Sequence, residues 1–176
     1  MRAKLSHITH VVRNLDEALS MYFRLLSIVP NYVKRFETEK NQSAFLPVGE
    51  DFIKLLQPIQ PETPVANFLQ TYGEGIYHVC LTVDDLDSEV IFLREKGIDI
   101  LPSEPESAIK GIYLNPKYTK GVRIEFISPD IALTQAADRV TNNKGIKGVG
   151  HLGIIVKDVN QAVTLYCDIF HIQRVP

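Results

Sequence analysis

Three histidines open three copies of one pattern. The first copy is His7-Ile8-Thr9-His10-Val11-Val12-Arg13-Asn14-Leu15-Asp16-Glu17-Ala18-Leu19. The second starts at His78 with Val79-Cys80-Leu81-Thr82-Val83-Asp84-Asp85-Leu86-Asp87, and the third at His151 with Leu152-Gly153-Ile154-Ile155-Val156-Lys157-Asp158-Val159. His7 and His78 lie 71 positions apart, and His78 and His151 lie 73 apart. Lys54 and Glu125 repeat the offset of 71, as do Asp16 and Asp87. A side chain locked to a repeat of this period shares the geometric role of its counterpart in a duplicated module. Two modules side by side would therefore aim His7, Lys54, His78 and Glu125 at one place. Imidazole and carboxylate donors suit a divalent ion such as Zn, Co, Ni, Mn or Fe, so His7, His78 and Glu125 are the candidate ligands.

Lys54 complicates that set. An ammonium about 4 Å from a divalent ion is repelled by roughly 8 kcal/mol at an effective dielectric near 20. Three outcomes follow: Lys54 loses its proton and coordinates, it swings away and leaves a three-ligand site with open positions, or no metal binds and Lys54 pairs with Glu125. His10 points to the opposite face of its strand from His7 and reads as a packed or partly exposed histidine. His171 reads as a surface residue. His151 occupies the ligand-type position of an incomplete module. Tyr22, Phe23, Tyr77 and Phe126 read as core or cleft wall, and Lys117–Gly121 as a solvated polar loop.

The elements that must position these residues repeat as well. Each copy of the pattern is a β-branched strand, a polar turn and an amphipathic helix. In the first module a strand over 5–12 leads to a helix over 15–26, started by the capping pair Asn14 and Glu17. Strands over 32–36, 42–48 and 52–57 follow, the last two joined by a hairpin at Gly49-Glu50-Asp51. A linker over 58–64 and a short helix over 65–72 lead to the second module. There a strand over 76–83 precedes a helix over 86–96 that Gly97 caps. Strands near 98–101, 111–114 and 122–127 complete it, with loops at 102–105 and 115–121. Both modules read β-α-β-β-β. The expected class is α+β, with paired βαβββ modules forming a curved mixed-sheet cleft over residues 1–128 (modules 4–58 and 73–128). A connector over 129–148 follows, with a helix at 132–140 and a loop at 142–145. Residues 149–176 then form an incomplete third βα unit. A lone βα unit cannot bury its apolar face, so it is either a truncated piece or docks on this domain or a neighbour.

Composition narrows the function classes. The 176 residues carry a net charge of −2 and 23% charged residues, with no basic block, so nucleic acid is not an expected partner. No apolar run approaches membrane-spanning length, and two scattered cysteines form neither a disulfide framework nor a zinc spacing. A small-molecule site in a reducing cytoplasm is the expectation.

Several segments also carry a likeness. Ala44-Phe45-Leu46-Pro47-Val48-Gly49, Leu55-Leu56-Gln57-Pro58, Gly73-Glu74-Gly75-Ile76-Tyr77-His78, Asn115-Pro116-Lys117 and Gly121-Val122-Arg123-Ile124-Glu125 resemble methylmalonyl-CoA epimerases of the vicinal oxygen chelate superfamily. That superfamily holds glyoxalase I, bleomycin-resistance proteins and extradiol dioxygenases. The resemblance spans residues 4–128. It implies metal ligands at His7, His78 and Glu125, with Lys54 in place of the usual fourth ligand, Glu or Gln. It also places a glutamate base of some epimerases near Ser43, for which Glu37 or Glu39 could substitute if strand geometry turned them inward. The implied chemistry is 1,1-proton transfer on a chelated, CoA-type acyl substrate, with Glu125 as ligand and base and Lys54 beside it. A related lyase or isomerase fits the altered ligand set best. Two alternatives stand: a dioxygenase using a 2-His-1-carboxylate iron site, and a metal-free binding protein in which Lys54 holds an anion. A homodimer would cover the sheet edge or helix face that paired-module domains leave open.

Overall fold

Asn14 starts the first helix as its local sequence dictates: its side chain accepts from the Asp16 and Glu17 backbone amides and donates to Glu17 Oε1. Ser27, in the left-handed region, ends it. The computed structural model describes residues 3–102, 111–129 and 145–172. Their elements run β1 (Ala3–Val11), α1 (Leu15–Leu26), β2 (Tyr32–Phe36), β3 (Asn41–Val48), β4 (Asp51–Pro58), α2 (Pro64–Tyr72), β5 (Gly75–Val83), α3 (Leu86–Glu95), β6 (Ile100–Pro102), β7 (Gly111–Leu114), β8 (Ile124–Ile127) and α4 (Val159–Phe170). A 3₁₀ turn at Pro116–Tyr118 precedes β8. The helix expected at 132–140, most of the loop at 142–145 and most of the loop at 102–105 lie outside the described residues.

The sheet order is β2-β3-β4-β1-β5-β8-β7-β6, so each module contributes four strands and the two first strands meet at the centre. β1 runs parallel to β4, and β5 parallel to β8, whereas β1 and β5 pair antiparallel. This is the mixed, curved α+β sheet that the two-module reading expects.

Period-two alternation divides each strand between the helix side and the cleft side. Ala44, Leu46 and Val48 of β3 join Val12, Leu15, Ala18 and Ile28 in a core beneath α1. In the second module Val83, Leu93, Ile112, Leu114, Ile124 and Phe126 form the equivalent core beneath α3. A third cluster packs α2 through Leu69 and Phe68 against Val11, Leu56 and Tyr77. Tyr22 and Phe126 belong to the packing as expected, but Phe23 does not: it is 58% exposed on the last turn of α1. That turn leaves the stripe defined by Leu15, Ala18, Leu19 and Tyr22, so an aromatic there finds no facing strand.

The third unit departs from its local pattern. Residues 151–156 have strand composition, yet they enter no ladder in the described structure. A strand needs a neighbour's free backbone, and periodicity does not supply one. The chain wraps the β3–β4 turn instead. Lys147 O accepts from the Glu50 amide, and the Val149 amide donates to Asp51 Oδ2. Gly49 makes this approach feasible. Its φ is +61°, and a Cβ there would stand 2.0 Å from the Lys147 carbonyl. Helix α4, capped by Asp158 on the Gln161 amide, then docks on module two. Ile169 is fully buried there, with Leu165, Tyr166 and Phe170 around it.

Candidate metal centre

The antiparallel pairing of β1 with β5 creates a local two-fold relation. His7 faces Cys80, and Thr9 faces His78. On the flanks Lys54 pairs with Thr9, and Glu125 pairs with Cys80. Lys54 is therefore opposite the residue two beyond His7, and Glu125 opposite the residue two beyond His78. The offset of 71 in the sequence becomes equivalent register in space. All of these positions share the cleft face of the sheet.

One ligand atom each from His7, His78 and Glu125 lies within 4.8 Å of the others, and all three residues are buried. The two imidazole centroids are 5.7 Å apart. His78 Nε2 stands 3.1 Å from Glu125 Oε2 and 2.9 Å from Thr9 Oγ1. His7 Nδ1 meets Ser6 Oγ at 3.2 Å, which leaves His7 Nε2 buried without a partner. An unpaired buried polar atom costs about 1–3 kcal/mol. A divalent ion would satisfy that nitrogen and convert the Glu125–His78 contact into shared ligation. The donor set therefore fits the implied metal.

Electrostatics prepare the donors. Burial, reinforced by Lys54 and His78, holds His7 well below its usual range, and burial likewise lowers His78 against the pull of Glu125. Both rings are neutral near pH 7, as metal ligation requires. Burial alone would raise Glu125, but His78, His7 and Lys54 outweigh it and bring the carboxyl down to about 2. Lys54 has no ion-pair partner among the described residues, and its Nζ lies 5.5 Å from the Phe45 ring centroid. Glu125 pairs with His78 instead.

A sequence profile described as the Glyoxalase/Bleomycin resistance protein/Dioxygenase superfamily matches residues 6–115. The chain belongs to this superfamily. Among its relatives, mitochondrial methylmalonyl-CoA epimerase of Mus musculus is 30% identical over 126 residues, covering 69% of this chain and 71% of the mouse protein. A hypothetical protein from Bacillus halodurans is structurally similar, with a TM-score of 0.68, 28% identity, and coverage of 73% of this chain and 95% of that one. Methylmalonyl-CoA epimerase from Mycobacterium tuberculosis follows with a TM-score of 0.65 and 26% identity, covering 73% and 90%.

Within this superfamily domain the other expected residues separate. Ser43 is fully buried on the cleft face, its Oγ without a partner. Glu37 and Glu39 lie in the turn after β2. Glu37 pairs with Arg35 at the surface, whereas the half-buried Glu39 accepts from Asn41 Nδ2, which shares its strand face with Ser43. His10 bonds Tyr22 on the far side from His7. His151 is exposed. His171 is exposed, as expected, with its ring centroid 3.9 Å from that of Phe92 and Nε2 3.7 Å from Glu89 Oε2.

Three cleft residues emerge from register rather than motif. Tyr113 faces Glu125 across β7–β8 and places its ring centroid 5.6 Å from that of His78. Burial and the Glu125 charge raise the Tyr113 phenol, so it remains a donor. Cys80 sits between His7 and Glu125, and burial keeps its thiol protonated. Thr9 fixes the His78 ring. Strand parity could have put Thr9 beside His7 in a sequence reading, but the partners of all three depend on which strands meet.

Proposed function

We propose that the protein is a metal-dependent isomerase or lyase acting on a small oxygen-chelating acyl substrate, with a CoA thioester as the leading substrate class. The observation that carries this reading is the convergence of His7, His78 and Glu125 around the unpartnered His7 Nε2. The similarity to methylmalonyl-CoA epimerases supports the substrate class. A bound divalent ion would supply a Lewis acid toward neighbouring carbonyl and carboxylate oxygens.

The chain's own groups divide the remaining work. His7 enters as a neutral donor held at Nδ1 by Ser6, whereas His78 would exchange the Thr9 and Glu125 contacts of its Nε2 for the ion. Lys54 would present its positive charge to oxygen that becomes negative as the α-proton leaves. Position 43 offers a hydroxyl rather than a carboxylate, so Glu125 is the proton acceptor on the cleft face. A carboxylate held near pKa 2 is a weak base, and proton abstraction should be slower than with a dedicated glutamate. Free Cys80 and Cys167 suit a reducing cytoplasmic setting.

The test is solvent-deuterium incorporation at the α-carbon of methylmalonyl-CoA, followed by mass spectrometry with and without chelator. Exchange that disappears on chelation and in His78→Ala is the expected result. Exchange indifferent to both would refute the reading. Lys54 favours one second reading, a metal-free site for an anionic ligand, because its ammonium makes no ion pair among the described residues. Protein purified without a metal-affinity tag would then contain no stoichiometric metal, whereas stoichiometric iron with oxygen uptake would indicate a dioxygenase.

A further inference from the structure

Residues after 145 lie beyond the matched superfamily segment, yet they help to build a cavity that adjoins the candidate centre at His78. Its volume is about 430 Å³, and His78 is part of its lining. Phe68, Tyr77 and Val122 form apolar walls on the domain side, and Leu152–Ile155 lines it from the appended segment. Leu152 and Ile154 are 39% and 42% exposed, although residues of this type in this pattern would ordinarily be buried in a strand pair.

The cavity is also electropositive. Arg123 and Lys120 line it, and among the described residues no Asp or Glu does. The Arg123 guanidinium carbon lies 4.5 Å from the Tyr77 ring centroid, beside His78, and Arg123 has no ion-pair partner among the described residues. Helix α4 steadies this rim: Tyr166 OH donates to Thr119 O at 2.9 Å, and Lys120 Nζ donates to Gln161 Oε1 at 3.3 Å. The appended unit thus supplies a wall through its extended segment and a brace through its helix.

We propose that this cavity is the subsite for an anionic, apolar-stemmed arm of the ligand whose reacting end lies at His7, His78 and Glu125. Arg123 binds the oxyanion, and Leu152 and Ile154 pack the stem. An arginine with an unused guanidinium fork suits phosphate or carboxylate oxygens. The apolar walls require several carbons between that anion and the reacting group, which excludes a compact dicarboxylate as the complete ligand. The inference rests on the acyl-substrate reading above, and it gives residues 149–172 a binding role.

Isothermal titration of the full chain with coenzyme A, S-propionyl-N-acetylcysteamine and hexanoate tests this assignment. Arg123→Glu and Ile154→Asp should each weaken coenzyme A at least tenfold, with unchanged far-ultraviolet circular dichroism. In Arg123→Glu the uncharged thioester should change less than threefold. The same loss for hexanoate, with coenzyme A unchanged, would support the subsite and assign its anion to carboxylate rather than phosphate. Equal loss for charged and uncharged probes in Arg123→Glu, unchanged binding of both anions in the variants, or no binding of either anion to the parent would overturn the proposal. Arg123-dependent binding without deuterium exchange would retain the subsite and refute the proposed reaction.

Discussion

Replacing Lys54 gives the sharpest test of the metal centre because the geometry bounds the effect. Lys54 Nζ lies 5.5 Å from the Phe45 centroid, and the His7 ring lies 5.3 Å from the same centroid, so the ammonium is within about 11 Å of that imidazole. A unit charge and a divalent ion at about 11 Å repel by roughly 1 kcal/mol in bulk water and roughly 3 kcal/mol at an effective dielectric of 20. Lys54→Leu removes that repulsion while keeping an apolar stem against Phe45. The dissociation constant for Co(II) or Zn(II) should therefore fall about 5- to 150-fold. Lys54→Glu reverses the charge and restores a carboxylate at the fourth equivalent position, so it should bind metal more tightly than Lys54→Leu. Calorimetric titration at low ionic strength reads both effects, and added salt should shrink the difference. Unchanged or weaker binding in Lys54→Leu would refute the reasoning, because Lys54 would then be a neutral ligand or a required support.

Two further outcomes follow from the packing and protonation of the site. Because the folded His7 and His78 rings take up protons less readily than at their ordinary value of 6.5, the unfolded chain binds more protons as pH falls. The metal-free protein should lose stability on acidification below about 6.5, and lose more below about 4.5 as Glu125, held near 2, adds its share. Urea midpoints measured from pH 8 to pH 4 check the sign, and a His7→Gln/His78→Gln variant should flatten the first step; a midpoint that rises on acidification contradicts it. Ile169→Ala should cost about 2–5 kcal/mol, because the side chain is fully buried between α4 and the module-two core. A loss under about 0.5 kcal/mol in urea unfolding would mean that α4 is only loosely attached.

The sequence by itself determined the repeat, the element order and the identities of the converging residues. Periodicity is a local property, so the helix over 15–26 and the strands over 42–48 and 76–83 were legible from side-chain spacing and caps, each strand gaining one residue at its start in the structure. The matched offset of His7, Lys54, His78 and Glu125 survived folding because duplicated modules preserve strand register. Tertiary structure decided what depends on encounter between distant segments. Antiparallel contact between β1 and β5 placed Thr9 on His78, and β7–β8 pairing brought Tyr113 to Glu125. Residues 151–156 carry the local pattern of a strand but meet no ladder, while the following helix finds the core of module two. A strand's hydrogen bonds belong to its neighbour as much as to itself, so its sequence can specify a face without specifying a partner.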